Sequence, residues 1–402
     1  MVIGIVGGGA SGMAAALAAS ENTNVEILLL ERQARVGRKL QATGNGRCNL
    51  SNANALQGGY HGNHPEFSVA ALTRFSPERT LTWFRELGLF TVTEETGRVY
   101  PYSDQANSVV DTLRFALEKP NIRLETGFEV KKIRREEQGF SVSNGEKTFF
   151  CDKLIVACGG LAGTKLGGSM SGYKLLGKLG HKVTPLRPAL VQLKCGWGGL
   201  PALKGVRANC RAQIIYNGGL YAQSAGEIQF TEYGLSGPVI FEISRDVTYS
   251  QGKWICKLDM LPLCDIEKLK QELKKRVVRN LPMDELLTGI LHNRLGRVLV
   301  KTAGVRGRER TGELTDNQLD DICSAVKSLE LEITGTMGMD SAQVTAGGVV
   351  TEEFSPETME SKLVPGLYAC GEVLDIDGDC GGYNLQWAWS SGYVAGSSAG
   401  KD

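Results

Sequence analysis

The strongest hydrophobic pattern of the chain lies at its start. Four of the five residues at positions 2–6 are apolar, a glycine-rich turn covers residues 7–12, and an alanine-rich run covers residues 13–19. A short apolar run bounded by glycines is typical of a strand buried on both faces, and the alanine-rich run is typical of a helix packed closely on it. A second apolar run, over residues 25–30, ends at Glu31. The start of the chain therefore predicts a β-α-β unit.

The patterns that follow predict alternating helices and strands. Helical periodicity covers residues 65–87, as two helices, and residues 106–117 and 167–179, whereas strand patterns cover 91–101, 122–130, 140–150 and 153–157. The dipeptide Asn144-Gly145 predicts a hairpin turn within 140–150.

From about residue 185 the pattern changes. Short strand patterns at 190–194, 212–216, 227–230, 239–243 and 254–258 are separated by glycine turns, which predicts a small barrel or sandwich. Apolar residues then repeat every four positions over 265–281, which predicts an amphipathic helix. Strand patterns return at 342–349 and 366–372, and a glycine-rich loop leads into a last helix.

The glycines of the first turn have the G-x-G-x-x-G spacing of a dinucleotide site. Gly7 permits the tight turn, Gly9 allows a pyrophosphate to approach the backbone, and Gly12 allows the helix to pack closely on the strand. The N–H groups at the helix start, around Ala10 and Ser11, then face the phosphates. Glu31 lies 22 residues after Gly9, where a ribose-binding carboxylate is expected, and its charge favours FAD or NAD over NADP.

Composition adds little to this picture. The chain has 402 residues, of which 42% are hydrophobic and 22% charged, with a net charge of +1, so we expect a large core and no general attraction to nucleic acid or membranes. The first apolar run is too short to span a bilayer and lacks a basic leader, so we expect a cytoplasmic protein. The basic clusters at 268–279 and 294–310, which include Arg306 and Arg308, lack interleaved aromatic residues and predict charged helix surfaces rather than a nucleic-acid site.

Ten cysteines lie scattered between Cys48 and Cys380 without a C-x-x-C pair or a nearby histidine partner. This pattern predicts reduced, mostly buried thiols and no metal site. His61, His64 and Tyr102 are candidates for an acid or base that reaches a substrate, but no group of residues has a diagnostic spacing, so the sequence assigns no catalytic residue.

Two other glycine-rich stretches, at residues 36–52 and 366–386, indicate a flavin. In the first, Lys39 is either a solvated surface charge or a contact to the pyrophosphate or the flavin edge. In the second, Glu372 can bind the ribityl or phosphate region. The N–H groups around Asn384 and Leu385 can face the N1–C2=O2 edge of the ring, where negative charge develops on reduction.

Several motifs resemble a known bacterial flavoprotein family, the one that includes aminoacetone oxidases and BaiN-type bile-acid 3-oxo-Δ4,6-reductases. The similarity covers nearly the whole chain and rests on residues 37–40, 46–50, 234–238, 358–362, 371–375 and 381–392. The chain differs from the family pattern at 161–165 and in having Cys158 and Cys380 where threonine is more common, which bears on the substrate more than on FAD.

The resemblance implies an α/β fold: a glutathione-reductase-type FAD-binding Rossmann domain with an inserted β-barrel-like unit and a small helical unit. The FAD domain is expected to be discontinuous, at 1–188 and 341–402, with the barrel-like insert at 189–262 and 327–340 and the helical subdomain at 263–326. The predicted cofactor-binding residues, from the glycine patterns and the resemblance together, are Gly7, Gly9, Ala10, Ser11, Gly12, Glu31, Arg32, Lys39, Gly46, Cys48, Asn49, Val130, Cys158, Gly159, Gly371, Glu372, Asn384 and Leu385.

The functional hypothesis is an FAD-dependent oxidoreductase that transfers a hydride through flavin N5. A conjugated C=C, as in a 3-oxo-Δ4 bile acid or a similar steroid, is the expected small-molecule substrate. NADH or NADPH is the expected transient electron donor, since the chain has a single dinucleotide fingerprint. Two alternatives stay open: an aminoacetone-type amine oxidase that produces H2O2, and a non-catalytic flavin-bearing protein that binds RNA or a partner. The oligomeric state stays open.

Overall fold

The computed structural model describes residues 1–247, 251–305 and 309–401. Arg306 and Arg308 of the second basic cluster lie outside these residues. The chain divides into two compact units, Met1–Pro188 with Gln343–Asp402, and Ala189–Ala342. Every helix in the described ranges is too short or too polar to cross a bilayer.

The strands of the described residues, in chain order, are β1 (Val2–Val6), β2 (Glu26–Glu31), β3 (Ser51–Asn52), β4 (Tyr60–His61), β5 (Thr91–Thr93), β6 (Arg98–Pro101), β7 (Ile122–Thr126), β8 (Lys132–Arg135), β9 (Phe140–Ser143), β10 (Thr148–Cys151), β11 (Lys153–Val156), β12 (Arg187–Ala189), β13 (Leu193–Gly196), β14 (Arg207–Tyr216), β15 (Gly219–Phe230), β16 (Gly234–Ser236), β17 (Trp254–Asp259), β18 (Leu329–Thr336), β19 (Val344–Ala346), β20 (Leu367–Ala369) and β21 (Asp377–Gly378).

The α-helices of the same residues are α1 (Ala10–Ala19), α2 (Arg38–Gln41), α3 (Phe67–Arg74), α4 (Pro77–Glu86), α5 (Ala106–Ala116), α6 (Ser171–Lys178), α7 (Leu200–Leu203), α8 (Pro238–Ile243), α9 (Ile266–Val278), α10 (Asn293–Thr302), α11 (Asp316–Lys327) and α12 (Tyr383–Ala399). Short 3-10 turns join several of them.

The first unit is built on a five-stranded parallel sheet in the order β20-β11-β1-β2-β7. Its central strands are continuous apolar runs because both faces are covered, and Ile3, Ile5, Leu29 and Ile155 are fully buried. Helices α1 and α12 pack against each other, so the two ends of the chain meet in one core. The predicted Rossmann-type fold is confirmed.

The second unit contains a closed antiparallel barrel in the order β13-β16-β15-β14-β17-β18. Along β17, Trp254, Cys256 and Leu258 are buried and alternate with partly exposed residues, which is the period-two pattern of a barrel wall. Helices α9, α10 and α11 lie in the connection between β17 and β18 and share its hydrophobic core. The sequence predicted either a barrel or a sandwich for this region, and the structure confirms the barrel.

Two predicted strands are wrong in detail. Residues 239–243 form helix α8 rather than a strand, because Pro238 occupies its first turn, where a residue without an N–H and with a fixed φ favours a helix start. The strand predicted over 122–130 ends at Thr126, because Gly127 has a φ of +71°. Val130 therefore lies in a connection and not on a strand. The hairpin predicted at Asn144 and Gly145 is confirmed by the pairing of β9 with β10.

Candidate cofactor site

The turn between β1 and α1 leaves room beside the start of the helix. A Cβ on Gly7, which has a φ of +112°, would lie 2.4 Å from the Ala157 carbonyl oxygen, and a Cβ on Gly12 would lie 1.8 Å from the Gly7 carbonyl oxygen. A Cβ on Gly9 would meet no protein atom within 4 Å. Gly7 and Gly12 thus allow the backbone to pack closely, whereas Gly9 borders open space at the helix N-terminus. Anions bind favourably at such a terminus because its N–H groups are unpaired.

The ends of two other strands of the sheet, β11 and β20, meet this turn. Gly159 follows β11 with a φ of +69°, and Cys158 lies beside Gly7, with its Sγ 3.6 Å from the Val6 carbonyl oxygen. Gly371 follows β20, and a Cβ there would lie 2.5 Å from the Ser11 hydroxyl. The structure therefore brings together the predicted residues of three glycine turns, namely Gly7, Gly9, Ala10, Ser11, Gly12, Cys158, Gly159 and Gly371.

Glu31 ends β2 with its carboxylate oriented by the backbone. One oxygen accepts the Gly8 N–H at 2.7 Å and the other accepts the Gln33 N–H at 2.7 Å. Each oxygen keeps a lone pair for a ribose hydroxyl. The Arg32 guanidinium donates to the Gly167 carbonyl oxygen.

The connection that carries Val130 runs beside the same residues. Gly127 and Phe128 donate their N–H groups to the carbonyl oxygens of Gln33 and Glu31, at 3.0 and 2.9 Å. Val130 itself is buried. The structure thus places Glu31, Arg32 and the segment leading to Val130 at one edge of the sheet, although the strand expected there is absent.

Lys39 and Glu372 form an ion pair with a Nζ–Oε2 distance of 2.8 Å. The other Glu372 oxygen accepts the Thr345 N–H at 2.9 Å. Both side chains are only partly exposed, at 32% and 19%. The solvated-surface alternative for Lys39 is therefore disfavoured, because its charge is used to neutralise a carboxylate at the end of β20.

The residues before β3 lie against the start of α12. Trp389 donates its indole N–H to the Leu50 carbonyl oxygen at 2.8 Å, and the Asn52 amide donates to the Gly381 carbonyl oxygen at 2.8 Å. Cys48 is buried, whereas Gly46 lies on the exposed side of the turn. The segment that contains Cys48 and Asn49 therefore lies next to the segment that contains Asn384 and Leu385. Gly46 lies at the exposed edge of the first segment.

The loop before α12 is held rigidly at this point. The Asn384 side chain accepts the Gly378 N–H at 2.8 Å and donates to the Gly378 carbonyl oxygen at 2.7 Å. The N-terminal turn of α12 is consequently fixed relative to β21, so its N–H groups present a preorganised positive end.

The thiols near the site are poor nucleophiles. Burial raises the pKa of Cys48 to about 12 and that of Cys370 to about 12, so both stay protonated at neutral pH. All ten cysteines of the chain are free. Within the described ranges, His, Cys, Asp and Glu side chains form no group of three that could hold a metal.

The three acid or base candidates lie in different environments. His61 Nε2 is 2.7 Å from Asp379 Oδ1, beside the loop that leads into α12. His64 is enclosed by two carboxylates, with Nδ1 3.1 Å from Glu66 and Nε2 2.6 Å from Glu352. Tyr102, the residue after β6, is 77% exposed. Of these candidates, His61 is the one that contacts the loop leading into α12.

Sequence reasoning missed three residues that shape the site: Thr345, Ser391 and Asp379. Thr345 donates its N–H to Glu372, Ser391 accepts the Gly371 N–H at 2.9 Å, and Asp379 pairs with His61. Ser391 lies inside the final motif that carries the family resemblance, so its position there was a signal. Thr345 and Asp379 act through partners far away in sequence, and no local pattern indicates them.

These features fit FAD. The open space at Gly9 borders a helix N-terminus suited to a pyrophosphate, Glu31 presents a carboxylate suited to ribose, and the fixed start of α12 offers a positive end to the flavin ring. When bound, FAD supplies two-electron hydride chemistry.

Comparisons with known proteins identify the family and the fold. A family model described as the HI0933-like protein Rossmann domain matches residues 1–398. The 3-dehydro-bile acid delta(4,6)-reductase of Clostridium scindens is 39% identical over 99% of this chain and 98% of its own length. The ribosomal RNA dihydrouridine synthase of Escherichia coli is 32% identical over 97% of this chain and 96% of its own length. The 3-ketosteroid delta1-dehydrogenase of Sterolibacterium denitrificans, solved in complex with 1,4-androstadiene-3,17-dione, shares the fold, with a TM-score of 0.52 and 13% identity over 99% of both chains.

Proposed function

The chain belongs to the HI0933-like Rossmann family and is an FAD-dependent oxidoreductase, and we propose that it reduces a C=C bond conjugated to a carbonyl group. We propose NADH or NADPH as the electron donor and a 3-oxo-Δ4 bile acid or a similar steroid as the substrate. The single observation that carries this proposal is the 39% identity to a named bile-acid reductase over 99% of the chain.

The second relative supports the same reaction class. A dihydrouridine synthase adds two hydrogens across the C5=C6 bond of uracil, which is conjugated to the C4 carbonyl group. The two relatives thus act on different molecules but reduce the same kind of bond. Reaction chemistry is therefore the part of the function that both relatives support.

In such a reduction, different residues of this chain would bind different parts of FAD. The N-terminus of α1 and Gly9 would hold the pyrophosphate and Glu31 would hold ribose, while Lys39 neutralises the Glu372 carboxylate. The start of α12 would stabilise negative charge at the edge of a bound flavin ring, which would favour the reduced form.

Anaerobic stopped-flow absorbance tests the proposal. The holoenzyme is mixed with NADH or NADPH, and the reduced enzyme is then mixed with a 3-oxo-Δ4 bile acid or with oxygen. Rapid bleaching by a nicotinamide, fast reoxidation by the enone and slow reoxidation by oxygen support the reductase. Bleaching by small amines together with fast H2O2 production would instead establish the amine oxidase.

A uridine of ribosomal RNA is the second candidate substrate, favoured by the 32% identity to the dihydrouridine synthase. This candidate disagrees with the expectation, made from the sequence, that the protein does not bind nucleic acid. That expectation stays a prediction. Incubating the reduced enzyme with protein-free ribosomal RNA and measuring dihydrouridine by mass spectrometry decides between the candidates. Dihydrouridine without enone reduction would replace the steroid with RNA as the substrate.

A further inference from the structure

His61 and Asp379 form a pair that is held by two short strands. Strand β4 pairs with β21 in antiparallel register, with His61 opposite Asp377. The Asp379 N–H donates to the Gly59 carbonyl oxygen at 2.8 Å, which extends this ladder by one step. The His61 Nε2 and Asp379 Oδ1 atoms are 2.7 Å apart. The backbone pairing therefore holds the two residues next to each other, although they are 318 positions apart in sequence.

The pair is anchored to the start of α12. Gly378, which precedes Asp379, is held by both ends of the Asn384 amide in the first turn of that helix. A Cβ on Gly59 would lie 2.8 Å from the Tyr383 ring and 2.9 Å from Asp379 Oδ2, so the glycine, with its φ of +82°, makes room for both. The loop that carries Asp379 is thus the loop that leads into α12, whose N-terminus would face the edge of a bound flavin.

Hydrogen bonding fixes which imidazole nitrogen is available. An ionised carboxylate only accepts, so Nε2 carries the proton that faces Asp379. A proton that the ring gives to a ligand then has to come from Nδ1. The side chains of His61 and Asp379 are 37% and 47% exposed, so a bound molecule can reach them.

The other histidines of this unit lack such a free nitrogen. His64 contacts a carboxylate through each ring nitrogen, and His181 is buried with Nδ1 on Glu353 at 2.8 Å and Nε2 on Ser361 at 3.0 Å. Among the described residues of the first unit, His61 is therefore the histidine with one ring nitrogen fixed by a carboxylate and one left for a ligand.

The surroundings of His61 are acidic. Asp377 lies opposite it in the strand register, and Asp375 accepts the Asn63 N–H at 3.3 Å; both carboxyl side chains belong to buried residues. The phenols of Tyr60 and Tyr383 are further titratable groups, and burial raises the pKa of Tyr60, so that phenol stays neutral. Among the described residues, the ion-pair partner of Asp379 is His61, whose ring the carboxylate orients.

We propose that His61 donates the proton that completes the reduction and that Asp379 positions its ring. This inference rests on the proposed function, because saturating a conjugated C=C takes a hydride at the β carbon and a proton at the α carbon. The hydride brings the electron pair that forms the new β C–H bond, and the π electrons move to the α carbon. They form the α C–H bond with the Nδ1 proton, while the N–H electrons stay on nitrogen. Water then reprotonates the neutral imidazole, and a dihydronicotinamide restores the reduced cofactor.

Microscopic reversibility supplies a test that needs no redox turnover. The oxidised holoenzyme is incubated in D2O with the saturated 3-oxo bile acid and without any reductant, and deuterium at the α carbon is followed by NMR. We expect wild-type enzyme to catalyse this exchange and His61→Gln to be about 100-fold slower, the lower end of the usual contribution of a general acid–base. Asp379→Asn is expected to fall between the two.

Matched controls separate chemistry from folding and binding. His64→Gln changes a histidine of the same loop and is expected to exchange at the wild-type rate. Affinity for the saturated ketone, measured from the flavin absorbance change, is expected to be unchanged in His61→Gln. Added imidazole is expected to restore exchange in His61→Ala, because the side chain it replaces is partly exposed.

The outcomes are distinct. A wild-type exchange rate in His61→Gln, or in His61→Ala without imidazole, overturns the assignment of the proton donor while leaving the reductase intact. Failure of wild-type enzyme both to reduce the enone and to bind the ketone overturns the proposed function and this inference with it. Loss of exchange in His61→Gln with retained flavin and retained ketone binding supports the inference.

Discussion

Helices α1 and α12 pack through a stripe of small residues. Gly392, Gly396 and Gly400 repeat every four positions on α12 and its C-terminal cap, and they face α1. A Cβ on Gly392 would lie 2.3 Å from the Ser11 carbonyl oxygen, and one on Gly396 would lie 2.1 Å from the Ala15 carbonyl oxygen. At Gly400 the corresponding distance, to the Ala19 carbonyl oxygen, is 3.3 Å. The stripe allows the cofactor-binding helix and the last helix to touch backbone to backbone.

We therefore expect Gly396→Ala to destabilise the first unit. The added methyl group would meet a backbone oxygen more than 1 Å inside ordinary contact distance, and a helix backbone cannot rotate away as a side chain can. Overpacking costs about 1–3 kcal/mol, and here the upper part of that range applies. The intrinsic helix preference of alanine offsets about 0.5–1 kcal/mol. The net expected loss is about 2 kcal/mol in the free energy of unfolding.

Urea unfolding of the holoprotein, followed by far-UV circular dichroism, measures this loss. Gly400→Ala is the matched control, since it adds the same methyl group at the end of the same stripe, where the nearest atoms lie at 3.3 Å rather than 2.1 Å, and we expect it to cost less than Gly396→Ala. Flavin absorbance reports whether the displacement of α1 also weakens cofactor binding. Equal stability of Gly396→Ala and Gly400→Ala would refute the argument from close packing.

Three further predictions concern the same unit. Gly9→Glu is expected to retain the fold and lose flavin, because its side chain enters the open space at the helix N-terminus; a variant that purifies fully yellow contradicts the site. His181→Ala is expected to lower the free energy of unfolding by about 2–4 kcal/mol in thermal or urea denaturation, because it removes a buried ring together with its contacts to Glu353 and Ser361 and leaves a cavity. The thiols of Cys48 and Cys370 keep their protons to about pH 12 when folded but release them near pH 9 when unfolded, so stability is complete below pH 9 and falls above it. The loss is about 1.4 kcal/mol per pH unit and thiol, and a urea midpoint constant from pH 8 to 11 contradicts it.

Local chemistry explains what could be predicted from the sequence. The first β-α-β unit is encoded by contiguous apolar runs and by glycines whose roles depend on near neighbours, such as Gly12 against Gly7. The barrel follows from alternation along strands such as β17. The end of β7 was predicted wrongly because Phe128 and Val130 continue the alternation, while Gly127, with its positive φ, ends the strand.

Contacts between distant segments explain what could not be predicted. Lys39 reaches Glu372 across 333 positions, and His61 reaches Asp379 across 318. Either carboxylate, taken in its local context, is simply a polar residue near a glycine turn. Only the arrangement of the sheet, with β20 beside β11 and β21 beside β4, makes them partners. The electrostatics of the candidate site is therefore a property of the tertiary structure.

Charge pairing on the helical segment bears on the choice between a steroid and RNA. Two cations of α9 face carboxylates of α11: Lys270 lies 2.5 Å from Asp320, and Lys274 lies 3.3 Å from Asp316. RNA affinity grows with the number of phosphates that free cations neutralise, and a cation that already has a carboxylate partner contributes little. This arrangement favours the small-molecule substrate.

Removing those carboxylates tests that conclusion. The double variant Asp316→Asn, Asp320→Asn releases two lysines, so we expect tighter binding to single-stranded RNA and a salt dependence, as log K against log salt, steeper by about 1.4. Reduction of the 3-oxo-Δ4 bile acid is expected to stay unchanged, because neither aspartate belongs to the candidate site. Filter binding at several salt concentrations measures the slope. If wild-type protein already binds RNA as tightly and with the same slope, the paired lysines do not restrain binding, and ribosomal RNA becomes the stronger substrate candidate.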